Sequence, residues 1–380
     1  MNTPRTRMIA AGAFAATAVL GLAACGDKAD DKGGASNEIA VTATDSECKL
    51  DKTQLSTGNY TFVVENKGAQ VTEFYIYGEN DVIVGEVENV APGLTRKLSV
   101  PLKSGTFQGT CKPGMVGDGI RTPITVTGDD AVAADDAELS AAVATYKTYV
   151  ATQADELVKL TEQFTTAVKK GDLDEAKRLY PLAREPWERI EPVAEIFGDL
   201  DPLIDGREAD LAQGQEFTGF HKLEKDLWIG KDIKDSGPIA DRLIADVKTI
   251  AEKAKGAELS AAQVGNGAKE LLDEVAATKM TGEEDVFSHT DLWDINANVS
   301  GAQQAIEALR PVLAKRDAAF LGTLDTAFKT VNDTLAKYKS GDGWKLHNEL
   351  TQTELKELSD VVNALAEPLS HVGAKVLPTQ

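Results

Sequence analysis

The hydrophobic periodicity of this chain changes near Gly128, and this change constrains the fold more than any other feature. Before it, apolar and polar residues alternate over short segments separated by Asn, Gly, Pro and Lys, which is the pattern of half-buried β-strands. The alternating segments are residues 39–44, 60–66, 71–77, 82–87, 95–102 and 122–127. Short strands at this spacing predict a Greek-key β-sandwich over residues 38–128.

Beyond Gly128 the apolar residues recur at intervals of three, four or seven, as in amphipathic helices. A segment of small and acidic residues, 129–137, separates the two regions and predicts a linker. The helical pattern covers residues 139–168, 236–254, 259–279, 301–338 and 347–374. We therefore expect a multidomain protein whose second part, residues 138–380, is an all-α helical-bundle domain. Its size suits two four-helix bundles, and we suspect an internal duplication.

The first 25 residues have the features of a secretion signal, because basic residues precede an apolar run, 8–24, that is too short for a dependable membrane span. The run ends in Leu-Ala-Ala-Cys25, which resembles a bacterial lipobox with Cys25 as the lipidated residue. An ordinary signal with a chance cysteine is the alternative. Residues 26–37 are polar and predict a flexible tether. We expect a protein that is lipid-anchored to the outer face of the cell membrane, so that anything it helps to import needs a separate permease.

The chain is strongly acidic, with 40 basic and 61 acidic residues and a formal net charge of −21. Such a balance argues against a nucleic-acid partner and against direct binding to an anionic membrane surface, so that membrane contact is expected through the lipid anchor only. It favours cationic ligands, although acidic surfaces also serve solubility.

His221 is one of only four histidines, and Glu224 follows it three positions later. In a helix these two side chains project from one face, within reach of a shared ion. A core histidine with satisfied hydrogen bonds beside a surface glutamate is the alternative reading, because H-x-x-E is a weak pattern.

More carboxylates precede His221 in a segment rich in acids and aromatics. If the loop that contains Asp205 folds back, Glu188, Asp205, His221 and Glu224 can converge. Three carboxylates and one imidazole suit iron, as Fe²⁺ or Fe³⁺, with Zn²⁺ or Mn²⁺ as substitutes. This set is the metal site that the sequence predicts in the helical domain.

The β-rich region contains two cysteines, Cys48 and Cys111, in an exported and therefore oxidising context. A disulfide between them is one reading. A second metal site formed by Cys48, Glu73, Cys111 and Met115 is the other, and its sulfur ligands favour copper. The segment from Ser104 to Ile120 resembles the cupredoxin C-terminal loop, but no histidine precedes His221, so this region cannot form a blue-copper site from its own side chains.

The acidic block 281–294, T-G-E-E-D-V-F-S-H-T-D-L-W-D, has two readings. It could supply a second site or a wall of the cleft. We favour a structural role, because Ser288 and Thr290 suit a helix start and Trp293 suits the core. Tyr180 and Trp187 could line the cleft, but we expect them to be core residues.

Several motifs together identify a family. Gly219, His221 and Glu224 form the G-x-H-x-x-E hallmark that resembles the imelysin or M75 group. Combined with a cupredoxin-like domain, the chain is similar to the EfeO-type iron uptake lipoproteins, whose pattern also includes C-K-P-G-M-V-G-D-G-I-R and S-H-T-D-L-W-D-I-N-A-N-V. The resemblance implies an iron-binding, non-enzymatic role with an iron permease and a haem peroxidase as partners, and it implies that the metal ligands are Glu188, Asp205, His221 and Glu224.

An M75-type metallopeptidase is the rival function. A zinc peptidase of the familiar kind carries H-E-x-x-H, in which a general-base glutamate lies between two histidines. In this chain residues 222 and 225 are both lysine, so the base and the second histidine are missing. An adhesive or polysaccharide-binding module would need aromatic platforms, which an aromatic content of 6% does not favour.

Overall fold

The computed structural model describes residues 37–129, 137–194, 196, 200–211, 214–231 and 233–377. The predicted signal and lipobox, the tether up to residue 36 and most of the linker lie outside the described residues. Within the described residues, no helix combines the length and the apolar character that crossing a membrane requires.

The N-terminal domain consists of two sheets. Its strands are β1 (Glu38–Ala43), β2 (Cys48–Leu50), β3 (Gln54–Ser56), β4 (Gly58–Asn66), β5 (Thr72–Tyr77), β6 (Ile83–Val90), β7 (Thr95–Leu102), β8 (Gly105–Pro113) and β9 (Ile120–Thr127). One sheet has the order β2-β1-β4-β7 and the other β3-β9-β8-β5-β6. Alternate residues such as Phe62, Phe74 and Ile124 meet in one core, as the period of two predicts. The prediction of a β-rich first domain is confirmed.

The rest of the described chain is mostly helical, which confirms the predicted second domain. Its helices are α1 (Ala137–Lys170), α2 (Leu173–Ala194), α3 (Asp201–Ile204), α4 (Gly219–Lys225), α5 (Gly237–Gly256), α6 (Ala261–Glu274), α7 (Asp291–Leu335), α8 (Gln352–Leu369) and α9 (Val372–Val376). Asp226–Gly230 and Val275–Lys279 are π-helical turns that continue α4 and α6. A two-stranded hairpin, β10 (Lys339–Ser340) and β11 (Gly343–Trp344), follows α7 and was not predicted.

The helical domain has two apolar cores in its described part. Helix α1 is 34 residues long and spans both, because Tyr146 packs in one core while Leu157 and Phe164 pack in the other. The second core also takes side chains from α2, α4 and α5, whereas the first takes them mainly from α6, α7 and α8. This division matches the expectation of two bundles side by side.

The five-stranded sheet faces the helical domain through buried carboxyl groups. Glu86 of β6 is 5% exposed and lines the same cavity as Glu270 of α6. Burial, and then the charge of Glu73, raise the pKa of Glu86 to about 8, although Lys112 and Tyr75 lower it. Burial and Glu86 likewise raise the pKa of Glu270. These two carboxyl groups favour the protonated form where the domains meet.

Replacing Glu86 with glutamine should therefore make stability less dependent on pH. A carboxyl group whose pKa rises on folding contributes stability that is fully present below its unfolded pKa and is lost as the pH rises through its folded pKa, here about 8. For one titrating group, the free energy of unfolding changes by at most about 1.4 kcal/mol per pH unit. Chemical denaturation at several pH values between the ordinary pKa of 4.5 and the raised pKa of about 8 measures this change. The exposed Glu79→Gln should retain the wild-type slope, and a wild-type slope in Glu86→Gln would contradict the assignment.

Candidate metal centre

The position of His221 depends on a glycine at the start of α4. Gly219 begins α4 with φ of +78°, and a Cβ there would overlap the carbonyl of Ile204 at the end of α3. A glycine is therefore required two residues before the histidine. It lets α4 pack against α3, and it leaves His221 2% exposed with Glu224 fully buried.

Carboxylates flank the His221 ring on both sides. On the Nε2 side, Asp205 Oδ1 lies at 3.4 Å and Glu284 Oε1 at 3.5 Å. On the Nδ1 side, Glu224 Oε2 lies at 3.3 Å and Asp285 Oδ1 at 3.9 Å. On each side, one ligand atom from each of three residues lies within 4.8 Å of the others, so each side can hold a metal ion. Oxygen donors with one imidazole suit iron, manganese or zinc.

Hydrogen bonds fix the two predicted carboxylates that reach the ring. Glu224 Oε1 accepts from the backbone N–H groups of Phe287 at 2.9 Å and Ser288 at 2.7 Å, so that Oε2 faces the imidazole. Asp205 follows α3 directly, and its Oδ2 accepts from Trp187 Nε1 at 3.0 Å. Such outer contacts orient ligands before an ion binds.

Glu188 occupies a different position from the other three predicted ligands. It belongs to neither of the two groups around His221. Its Oε1 accepts from Arg184 Nη2 at 2.5 Å, and its Oε2 lies 3.2 Å from Lys279 Nζ. The structure thus brings Asp205, His221 and Glu224 together, and it joins Glu188 to them through Arg184.

Two buried cations compensate the carboxylates. The side chains of Arg184 and Lys279 are both fully buried. Arg184 donates to Glu188, Asp205 and Glu284. A buried cation of this kind is stable only when it is paired, so the two residues and the carboxylates stabilise one another.

Protons also contribute to the charge balance of this centre. Burial and the Arg184 charge lower the pKa of His221, but Asp205, Glu224 and Glu284 together raise it to about 10. Burial raises the pKa of Glu188 to about 7, against the opposing charges of Lys279 and Arg184. Because a metal ion needs the deprotonated ligands, binding at this centre would release protons.

The block 281–294 lies against His221, which is the cleft-wall alternative to the capping role that we favoured. Glu284 and Asp285 contact the His221 ring, and Thr290, which precedes α7, makes no side-chain capping bond. Instead, Thr290 Oγ1 donates to Asp285 Oδ2 at 2.5 Å. The sequence signal that could have identified this block is its run of three acids, Glu283 to Asp285, in a loop without helical periodicity.

Tyr180 and Trp187 are buried, as expected of core residues, but both also serve the centre. Tyr180 donates its hydroxyl to Asp285 Oδ1 at 2.8 Å, and Trp187 donates to Asp205. Of the remaining histidines, His347 contacts the Met280 carbonyl at 3.1 Å and the side chain of His371 is 52% exposed.

The second predicted metal site, in the β-domain, is not formed. Cys48 and Cys111 are joined in a disulfide, which removes both thiolates. Phe74 is paired with Cys111 and shares the inner face of the sheet with it, so the neighbouring Glu73 points to the opposite face. Met115 is 43% exposed. The four side chains therefore provide no common copper position.

Comparison with known proteins places this geometry in a family. The family model for imelysin, peptidase M75, matches residues 142–372, and the cupredoxin-like domain model matches residues 13–126. The iron uptake system component EfeO of Escherichia coli O157:H7 is 38% identical over 88% of this chain and 90% of its own length. The protein of the same name from Shigella flexneri is 37% identical with the same coverage.

A solved structure agrees with the helical fold. The crystal structure of an iron-regulated protein A precursor from Parabacteroides distasonis superposes with a TM-score of 0.52 over 64% of this chain and 96% of that chain, at 15% identity. This similarity concerns the fold alone. By its sequence identity and its two domain matches, the chain belongs to the EfeO family, in which a cupredoxin-like domain precedes an imelysin domain.

Proposed function

We propose that this protein is the extracytoplasmic iron-binding component of an uptake system, anchored to the membrane by a lipid on Cys25. It captures iron outside the membrane and delivers it to a permease, with a haem peroxidase as a companion. The names of its relatives support the role in iron uptake. The cysteine at the end of the apolar segment supports the anchor.

The single observation that carries the proposal is the position of His221 between two pairs of buried carboxylates. Such a centre offers hard oxygen donors and one imidazole nitrogen, a set of ligands that suits iron. Asp205, His221 and Glu284 are the ligands that we propose for the first contact, and Glu224 faces the other nitrogen of the imidazole. Both oxygens of Glu188 are engaged by Arg184 and Lys279 and must leave them before they can bind an ion. Glu188 is therefore not among the ligands of the first contact and stays a prediction.

We propose binding and release rather than catalysis. A peptidase centre of the H-E-x-x-H kind has a glutamate next to the first histidine to activate water. Here the adjacent residue is Lys222, whose Nζ donates to Asp226 at 2.5 Å. Glu224, three residues after His221, accepts two backbone hydrogen bonds and is thus already engaged, unlike a glutamate that activates water. Peptide cleavage that disappears in His221→Gln would contradict this part of the proposal.

Replacing His221 with glutamine should weaken metal binding by at least about 100-fold, or roughly 2.8 kcal/mol. The imidazole is shared by both groups of carboxylates, so neither group retains its nitrogen donor. Anaerobic calorimetry with Fe²⁺, and with Mn²⁺ as a probe that is less prone to oxidation, measures the stoichiometry and affinity. His371→Gln is the matched control, because that histidine is exposed and should be dispensable. Unchanged binding by His221→Gln would reject the site.

The role in uptake is tested separately by growth on limiting iron. A strain that lacks the gene should grow poorly, and wild type and His371→Gln should restore growth while His221→Gln does not. Restoration by His221→Gln would mean that the centre is not needed for uptake.

A further inference from the structure

Arg184 is one of the two buried cations of the metal centre, and the proposed binding of iron gives it no role of its own. It lies on α2, its side chain is fully buried, and it pairs with carboxylates from four separate parts of the chain: α2, the residue after α3, residues 284–285 and α7. Nη1 donates to Asp205 Oδ1, and Nη2 donates to Glu188 Oε1 at 2.5 Å and Glu284 Oε1 at 2.9 Å. The guanidinium therefore links these carboxylates to one another through its hydrogen bonds.

The guanidinium holds the same oxygen atoms that the Nε2 side of His221 offers to a metal ion. These atoms are Asp205 Oδ1 and Glu284 Oε1, at 3.4 and 3.5 Å from Nε2. Arg184 Nη1 itself lies 3.3 Å from Nε2. An ion bound at about 2.0–2.2 Å from the nitrogen and these oxygens would lie against the guanidinium without any anion between them. The ion and the guanidinium therefore exclude one another in this position.

Asp294, which already accepts from Arg184, offers the guanidinium one further acceptor atom. Asp294 is fully buried on α7, and its Oδ2 lies 3.3 Å from Arg184 Nε. The other oxygen, Asp294 Oδ1, is buried and has no hydrogen-bond partner. A small shift towards Asp294 would let Arg184 keep Glu188 and satisfy this oxygen while it releases Asp205 and Glu284.

We propose that Arg184 is the resident cation of the metal-free centre and that metal capture exchanges the guanidinium for the ion at Asp205 and Glu284. The proposal rests on the proposed function and deepens it. In the metal-free protein Arg184 holds the carboxylates together. In the loaded protein it competes with the ion, which lowers the affinity and allows release to the next carrier.

Replacing Arg184 with glutamine tests the exchange, with Zn²⁺ as a redox-inert probe. We expect Zn²⁺ to bind at least tenfold more tightly than to wild type. We also expect a lower melting temperature in the presence of a chelator, and a larger rise of that temperature on adding Zn²⁺. Arg189→Gln is the matched control, because Arg189 lies on the same helix and pairs with Glu185 at 2.6 Å, one turn away. It should bind Zn²⁺ like wild type.

The direction of the affinity change separates exchange from a merely structural role, since loss of a structural arginine would weaken binding. Arg184→Gln that is folded in chelator and binds Zn²⁺ as wild type does, or more weakly, overturns the proposal. If this variant does not fold without metal, Arg184→Lys decides, because it keeps a charge but loses the fork that reaches both carboxylates. Its affinity should exceed that of wild type, and an equal or lower affinity overturns the exchange. Wild type that binds no Zn²⁺, Mn²⁺ or Fe²⁺ would overturn the proposed function as well.

Discussion

Replacing Glu188 with alanine should lower the free energy of unfolding of the metal-free protein by about 3–5 kcal/mol. Glu188 is fully buried between Arg184 and Lys279, with one carboxylate oxygen facing each of them. Its removal leaves Lys279, whose Nζ makes no hydrogen bond, with weaker ion pairs to Glu191, Glu274 and Glu284 at 3.8–3.9 Å. A buried charge that loses its closest partner is among the costliest defects in a protein interior.

Chemical denaturation of the metal-free protein measures this effect. Glu185→Ala is the control, because Glu185 lies on the same helix and pairs with an arginine but is 20% exposed. It should cost about 1 kcal/mol or less, as partly exposed ion pairs do. Equal losses in the two variants would mean that the buried network does not stabilise the fold. Glu188→Gln, which preserves the shape, then shows by metal titration whether Glu188 is also a ligand.

Removing the disulfide should destabilise the β-domain by about 4 kcal/mol. The bridge closes a loop of 63 residues, and the entropy of the unfolded chain that it removes corresponds to roughly this free energy. Cys48 and Cys111 are 4% and 0% exposed, so alanine at both positions changes little else. The double variant should still bind metal at His221, because that centre lies in the other domain.

Denaturation with and without a reductant provides the check on the bridge. Wild type should lose stability when reduced, whereas the Cys48→Ala, Cys111→Ala variant should not respond to reductant. Two free thiols in the wild-type protein, and a denaturation midpoint that reductant leaves unchanged, would contradict the bridge and revive a sulfur-containing metal site.

The hydrophobic periodicity predicted both domains, because burying one face of a strand or of a helix leaves a repeat of apolar residues in the sequence. It missed β2 and β3, which have three residues each and are too short to establish an alternating pattern. It missed β8 because the segment from Gly105 to Pro113 is rich in polar and glycine residues and reads as a loop. It also started α7 about ten residues late, because the polar residues at its beginning face the metal centre.

The metal centre was predictable where a local motif carried it. His221 and Glu224 lie on one short helix, so their spacing fixes their proximity. Glu284 and Asp285 reach the same ring from a loop whose path no periodicity encodes. Arg184 and Lys279 were missed for another reason: arginine and lysine are almost always exposed unless paired, and sequence alone does not reveal which of the 40 basic residues are buried.

X-ray crystallography of the iron-loaded protein, with anomalous scattering measured at the iron edge, tests the central claim most directly. We predict one ion in the helical domain, coordinated by Nε2 of His221 and by carboxylate oxygens of Asp205 and Glu284, with the Arg184 guanidinium moved away from Asp205. Iron bound at any other position, without a nitrogen of His221 among its ligands, would contradict the account.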